Sequence, residues 1–248
     1  MLFRSYTLTA SAGGFTPVTS TLFDIIPGTA TQLAFTQQPS TTVAGAAISP
    51  AVKVRALDAL GNLVPSFTGS VTVALGTNPG GAILSGTTPV AAVGGVATFF
   101  LSLNKAGTGY TLTASASGFA PVTSTPFDII PGTATQLAFT VQPSNTVAGA
   151  AINPAVQVTA LDAAGNPVPS FTGSITVALG NNPGGSTLGG TTTVAAVGGV
   201  VTFSDLTLDK TAPGYWLTAT GLGTATSSSF NIIAGPATQL VLDRKSVV

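Results

Sequence analysis

Two short segments, Asp58-Ala59-Leu60-Gly61-Asn62 and Asp162-Ala163-Ala164-Gly165-Asn166, each place a carboxylate and an amide four positions apart around a glycine. Oxygen atoms gathered on one tight loop are what calcium binding uses, and a calcium ion takes six or more of them. Asp58, Asn62, Asp162 and Asn166 are therefore the metal candidates of this chain. The same residue types also make turns, because Asp caps nearby backbone groups and Gly or Asn accepts a positive φ. With one carboxylate per loop and no acidic neighbour, turn chemistry is the expectation, and no metal or other cofactor is expected.

Little other chemistry is available. The 248 residues hold 7 Asp plus Glu and 7 Lys plus Arg, with no His and no Cys. All seven acids are Asp. Thiol nucleophiles, disulfides, imidazole bases and the usual zinc sites are excluded. The many Ser and Thr have no His to activate them, so a hydrolase triad is excluded as well. A formal net charge of zero leaves no basic surplus for nucleic acid or anionic lipid. No catalytic residue is expected.

Three further candidates stand out by position. Trp216 is the single Trp and replaces Thr111 of the preceding copy. It should face outward between Tyr215 and Leu217, where it could stack on a sugar or, as we expect, cover a neighbouring loop or fill a contact between domains. Asp24 and Asp128 recur just before a Pro, but their counterpart is Asn231, so no charged ligand is required there. Lys105 and Lys210 recur beside a turn. An isopeptide bond would need a buried Lys with an Asn and an acid beside it, and none is expected. Phe67 and Phe171, both in the string SFTG, are expected to plug the core where a strand begins.

The elements that position these residues are repeated. PGTATQLAFT starts at Pro27 and again at Pro131, and residues 27–99 match 131–203 without gaps at 59 of 73 positions. YTLTA occurs at Tyr6 and Tyr110, and YWLTA at Tyr215. A period near 100 residues is the size of a whole domain. The expected organisation is residues 1–26 as the last strands of a truncated repeat, 27–130 and 131–234 as complete repeats, and 235–248 as the first strand of another. MLFRS at the start and DRKSVV at the end resemble translations of sequencing-adapter DNA, so a native window from about Tyr6 to Leu242 of a longer reading frame, a metagenomic fragment, is expected. Both partial repeats should be mobile or pair adventitiously with an exposed edge.

Within a repeat the apolar residues alternate with period two, as in Val52-Lys53-Val54-Arg55-Ala56 and Ser70–Leu75, and turn clusters such as GTNPGG and KAGTG separate the runs. Strands are expected near 31–36, 43–48, 51–58, 70–76, 82–84, 89–93, 96–103, 109–116 and 122–130, and again about 104 residues later. One residue is inserted after Phe203, and a β-bulge at Asp205 is expected to keep Val201, Phe203, Leu206 and Leu208 on one face. The longest apolar passage, Val90 to Leu103, has 14 residues and a Gly pair, short of the ~20 that a membrane-spanning helix needs. MLFRS has no apolar segment behind it and does not read as a signal peptide.

AVKVRALDALGNLV, GSVTVAL and GGVATFFLSLNKAGTGYTLTASA together resemble the bacterial immunoglobulin-like repeats of invasin/intimin-type surface proteins. The resemblance implies tandem Ig-like antiparallel β-sandwich domains in an elongated array. It implies a spacer or stalk of a secreted or cell-surface, adhesin-like bacterial protein, with neighbouring repeats of the same chain as partners. The string FDIIPG between repeats leaves almost no slack, which favours a semi-rigid rod. The alternatives are a glycan- or matrix-binding module using Trp216, with an extracellular glycan or protein as partner, and accessory domains of a secreted enzyme.

Overall fold

The computed structural model describes residues 5–237; Met1–Arg4 and the stretch after residue 237, including the expected first strand and the adapter-like end, lie outside them. The chain is all-β, with no helix among the described residues. It divides into two compact units that meet at Ile130 and Pro131. Each contains an Ig-like antiparallel β-sandwich.

In the first unit, one sheet holds Gln32–Gln37, Val52–Leu57 and Val96–Phe99, with Val52–Leu57 in the middle. The facing sheet runs Val90–Ala91, Ser70–Leu75, Leu112–Ser115 and Val122–Thr123. Alternation decides the faces: Val52, Val54 and Ala56 are buried while Lys53 points to water, and Val71 and Val73 are buried while Thr72 is exposed. Both inner faces, with Phe99, Leu101, Leu103, Tyr110, Phe127 and Ile129, join in one core. Fully burying each large apolar side chain is worth about 1.5–3 kcal/mol, and packing does this without any disulfide.

Several runs expected as single strands are divided. The expected 96–103 becomes Val96–Phe99, paired with Val52–Leu57, and Ser102–Leu103, paired with Leu84–Ser85. The expected 122–130 becomes Val122–Thr123 and Phe127–Ile130. The run near 43–48 shrinks to Thr42–Val43 before a turn in which the Ala46 N–H donates to the Val43 carbonyl. Continuous apolar alternation survives such a division, because the chain changes hydrogen-bonding partner without changing the face it buries.

The unit also contains one parallel pairing. Phe127–Ile130 lies beside Thr42–Val43 with Ile129 opposite Thr42 and Ile130 opposite Val43. The chain therefore comes in at one end, beside Asp58, and leaves at the other, beside Val43. About twelve extended residues separate Thr31 from Val43, which is roughly 40 Å at ~3.3 Å per residue.

The second unit repeats this plan. Gln136–Val141, Val156–Leu161 and Val200–Phe203 form one sheet, and a six-stranded sheet faces it. Here Ala212–Thr220 is one unbroken strand, where the first unit has Gly107–Tyr110 and Leu112–Ser115. Val201, Phe203, Leu206 and Leu208 are all buried, so the inserted residue does preserve their phase. It does so without a ladder bulge: Asp205 sits in the break between Val200–Phe203 and Thr207–Leu208, which pair with different strands.

Residues 5–26 form two short antiparallel pairs, Ser5–Tyr6 with Phe23–Asp24 and Thr9–Ala10 with Val18–Thr19. All 22 of these residues are exposed, and none of their apolar side chains reaches a core cluster: Leu8, Phe15, Val18 and Leu22 all face water.

Candidate functional site: the carboxylate turns and the tryptophan face

Asp58 directly follows the central strand of its sheet, Val52–Leu57, and is 4% exposed. Its Oδ1 accepts the N–H groups of Leu60 at 3.0 Å and Asn62 at 2.8 Å, and its Oδ2 accepts the Gly28 N–H at 3.0 Å. The Asn62 side-chain amide donates to Oδ2 at 3.0 Å. Gly61 takes a φ of 82° to close the turn, and among the described residues no non-Gly residue has positive φ. Donation by the Asn62 side chain, and then by its N–H, pulls the Asp58 carboxyl down to about 2; burial opposes this, and Gly28 and Leu60 add to it.

Asp162 repeats the arrangement with Gly132 at 2.9 Å, Ala164 at 2.9 Å, Asn166 N–H at 2.8 Å and the Asn166 amide at 3.0 Å. Burial pushes this carboxyl up, but donation from Asn166, Gly132 and Ala164 outweighs it, and the pKa falls below the ordinary value. The structure thus brings Asp58 to Asn62 and Asp162 to Asn166. In each pair, both carboxylate oxygens face N–H donors, which is the electrostatics of a turn cap. Among the described residues no three acidic or metal-ligating side chains gather.

The link from each Asp to a glycine thirty residues upstream is the feature that local sequence reading misses. Gly28 and Gly132 belong to the FDIIPG strings, so each unit's own turn holds the backbone that leads into it. Spacing offers no signal for such a contact; only the recurrence of both motifs at the same period hints at it.

Asp128 and Asn231 serve one function with one atom. The Oδ1 of Asp128 accepts the Gly109 N–H at 2.9 Å, and the Oδ1 of Asn231 accepts the Gly214 N–H at 2.9 Å. A single carbonyl-type oxygen suffices, so Asp and Asn interchange. Asp24 instead accepts the Ser5 hydroxyl at 2.7 Å.

Trp216 lies on the other sheet's outer face, half-buried, in register with Asn181. Its indole covers Gly180, where a Cβ would collide with Nε1 and Cδ1. An aromatic ring laid over a strand glycine supplies the packing the glycine lacks. In the first unit Thr111 sits over Gly76 in the same way, its hydroxyl accepting the Thr77 N–H at 2.7 Å. Phe67 and Phe171 are half-buried and pack against their cores, and Phe67 meets Phe119 edge-on at 5.2 Å. The Lys210 amine is 3.6 Å from Asp209, with both side chains more than half exposed.

Three polar fixtures carry no chemical signature in the sequence. The Tyr110 and Tyr215 hydroxyls each donate to the carbonyl five residues upstream, of Lys105 and Lys210, at 2.8 Å. Ser124 accepts the Leu112 N–H, and Ser227 that of Leu217, both at 2.9 Å. Gln38 and Gln142 accept the N–H groups of Thr125 and Ser228, 87 and 86 residues away. All three act on the fold.

No family model matches the sequence, and no curated protein matches it. Solved structures similar to the chain include the Escherichia coli adhesin FdeC, with TM-score 0.40, 17% identity, and 85% of this chain and 67% of that one covered. Domains 4–9 of the surface layer protein SbsC align with TM-score 0.33 and 19% identity over 95% of this chain and 36% of that one. A β-glycosidase from Bacteroides vulgatus aligns with TM-score 0.34 and 13% identity over 81% of this chain and 25% of that one. The chain thus spans about two thirds of the first of these structures and about a third or less of the other two.

Proposed function

We propose that this chain is a non-catalytic spacer segment of a large secreted or cell-surface bacterial repeat protein, of the invasin/intimin kind, working outside the cell. The observation that carries the reading is the parallel pairing of Phe127–Ile130 with Thr42–Val43, repeated as Phe230–Ile233 with Thr146–Val147. It makes each unit a module that the chain crosses from one end to the other, so every added module adds reach. Tension on the chain also loads this ladder in shear, with its hydrogen bonds pulled together and not one by one. The closed apolar cores, the turn-capped carboxylates and the lack of surplus charge support the same reading.

Pulling single molecules by their ends tests it. Two separate unfolding steps are expected, each releasing roughly 350 Å of contour for about 100 residues. A gradual extension without steps would defeat the spacer reading. A glycan array offers the second check: specific binding that disappears in Trp216→Ala would replace it with a recognition module.

A further inference from the structure

We propose that the outer face of the sheet Gln32–Gln37, Val52–Leu57 and Val96–Phe99 binds a linear, carboxylate-bearing polysaccharide through Lys53 and Arg55. Side chains two apart on a strand share a face and stand about 7 Å apart. Lys53 is exposed and Arg55 half-buried on that face, while Val54 and Ala56 point into the core. They are two of the three cations in residues 27–130. Neither side chain makes a hydrogen bond or ion pair with another described residue. Asp58, the nearest acid in sequence, already has both oxygens engaged by N–H groups. The Arg55 Nε is covered and has no partner at all. A covered donor without an acceptor is costly. That cost ends when a ligand carboxylate draws the guanidinium outward and takes Nε and a terminal nitrogen together, as a fork.

The second unit is an internal control. Gln157 and Thr159 stand in place of Lys53 and Arg55, on a strand with the same position in its sheet. The Gln157 amide donates to the Thr202 hydroxyl at 3.4 Å, and Thr159 shares a hydrogen bond with Thr140 at 2.9 Å. Neutral residues thus satisfy one another there, and the fold does not call for the charges. Residues 131–234 hold one cation and three Asp, against three cations and two Asp in 27–130. The basic face belongs to the first unit alone.

The face also selects the ligand. A strand in mid-sheet has its backbone groups in ladders, so an extended polypeptide finds no partners there for its own amides. A chain of acidic sugars needs only side chains: cations for its carboxylates, amides and hydroxyls for its hydroxyls. Gln37 and Thr98 lie in register with Lys53 on either side and supply those groups. Ala34 and Val96 flank Arg55 and floor its aliphatic stem. None of these four is aromatic, so a neutral sugar has no ring to stack on. The site adds an ionic tether to the spacer reading and does not depend on it.

Titrating the full chain with sodium polygalacturonate at low salt tests this. Saturable binding is expected, with the amide resonances of Lys53 and Arg55 shifting and those of Gln157 and Thr159 unmoved. The double variant Lys53→Gln, Arg55→Thr carries the second unit's own residues and should keep its unfolding midpoint. It should bind at least about tenfold more weakly, the scale of a lost charge-assisted fork. Methyl-esterified polygalacturonate keeps the sugars without the charge and should not bind, and polyglutamate should bind more weakly at equal charge. Absence of binding, undiminished binding by the double variant, or equal binding of the ester or of polyglutamate overturns the proposal.

Discussion

Residues 6–27 and 110–131 are nearly the same string, yet Tyr6 is 45% exposed and Tyr110 is fully buried. Their local hydrogen bonds agree and their ring pair keeps the same spacing. What differs is the presence of Val52–Leu57, Ser70–Leu75 and Val96–Phe99 around the second copy. A hairpin's own residues set its pairing; burial belongs to two surfaces at once. Two strands alone are at best marginally stable in water, so most of the free energy holding 110–130 comes from strands far away in sequence.

The sharpest way to break this comparison is to truncate matching leucines. Leu112→Ala should lower the unfolding free energy of its unit by about 2–5 kcal/mol, and Leu8→Ala should change it by less than about 0.5 kcal/mol. Chemical denaturation of each variant measures both, and equal effects would erase the distinction. Next come the serines. Ser124→Ala leaves the Leu112 N–H buried without its partner, which costs about 1–3 kcal/mol, while Ser20→Ala leaves the Leu8 N–H to water and should be nearly silent. Hydrogen exchange at Leu8 and Leu112 reports the same contrast without substitution, Leu8 exchanging by local opening and Leu112 only on unfolding of its unit.

Acid gives a smaller effect, confined to low pH. The Asp58 carboxyl has a pKa of about 2 in the fold against 3.8 ordinarily, so the unfolded chain takes up its proton first as pH falls. The stabilisation is complete above pH 4 or so and is lost as pH falls through about 2. Denaturation midpoints recorded down that range should drop, and Asp58→Ala should flatten the decline. Smallest of all, Asp128→Asn should shift stability by under about 0.5 kcal/mol, because Asn231 already accepts its glycine N–H with a single oxygen. A large loss would show that the charge at Asp128 matters.

The strands were largely legible because a half-buried strand writes its faces into the sequence with period two. Val52, Val54 and Ala56, or Val201 and Phe203, announce the core without any partner being known. The Asp58–Asn62 turn was legible for a similar reason, as its partners lie within five residues. The division of 96–103 was not. Phe99 and Leu101 bury the same face on either side of the break, so alternation is blind to the change of partner. Asp205 shows the same blindness: the sequence reveals that one extra residue must be absorbed, and only the partner strands decide that it is absorbed between two ladders. The Gly28–Asp58 bond and the glycine beneath Trp216 depend on which strands become neighbours, a choice made by the whole sandwich.

By itself, then, the sequence determined a repeated all-β chain with alternating faces, glycine-closed turns and too few reactive groups for most catalysis, since these follow from local sterics, side-chain chemistry and the period of the pleat. The tertiary structure decided which carboxylate holds which linker, where strands change sheets, and why one copy of a hairpin is buried and another is bare. Those outcomes arise from contacts between residues tens of positions apart, where the free energy of burial is shared by surfaces that no single segment specifies.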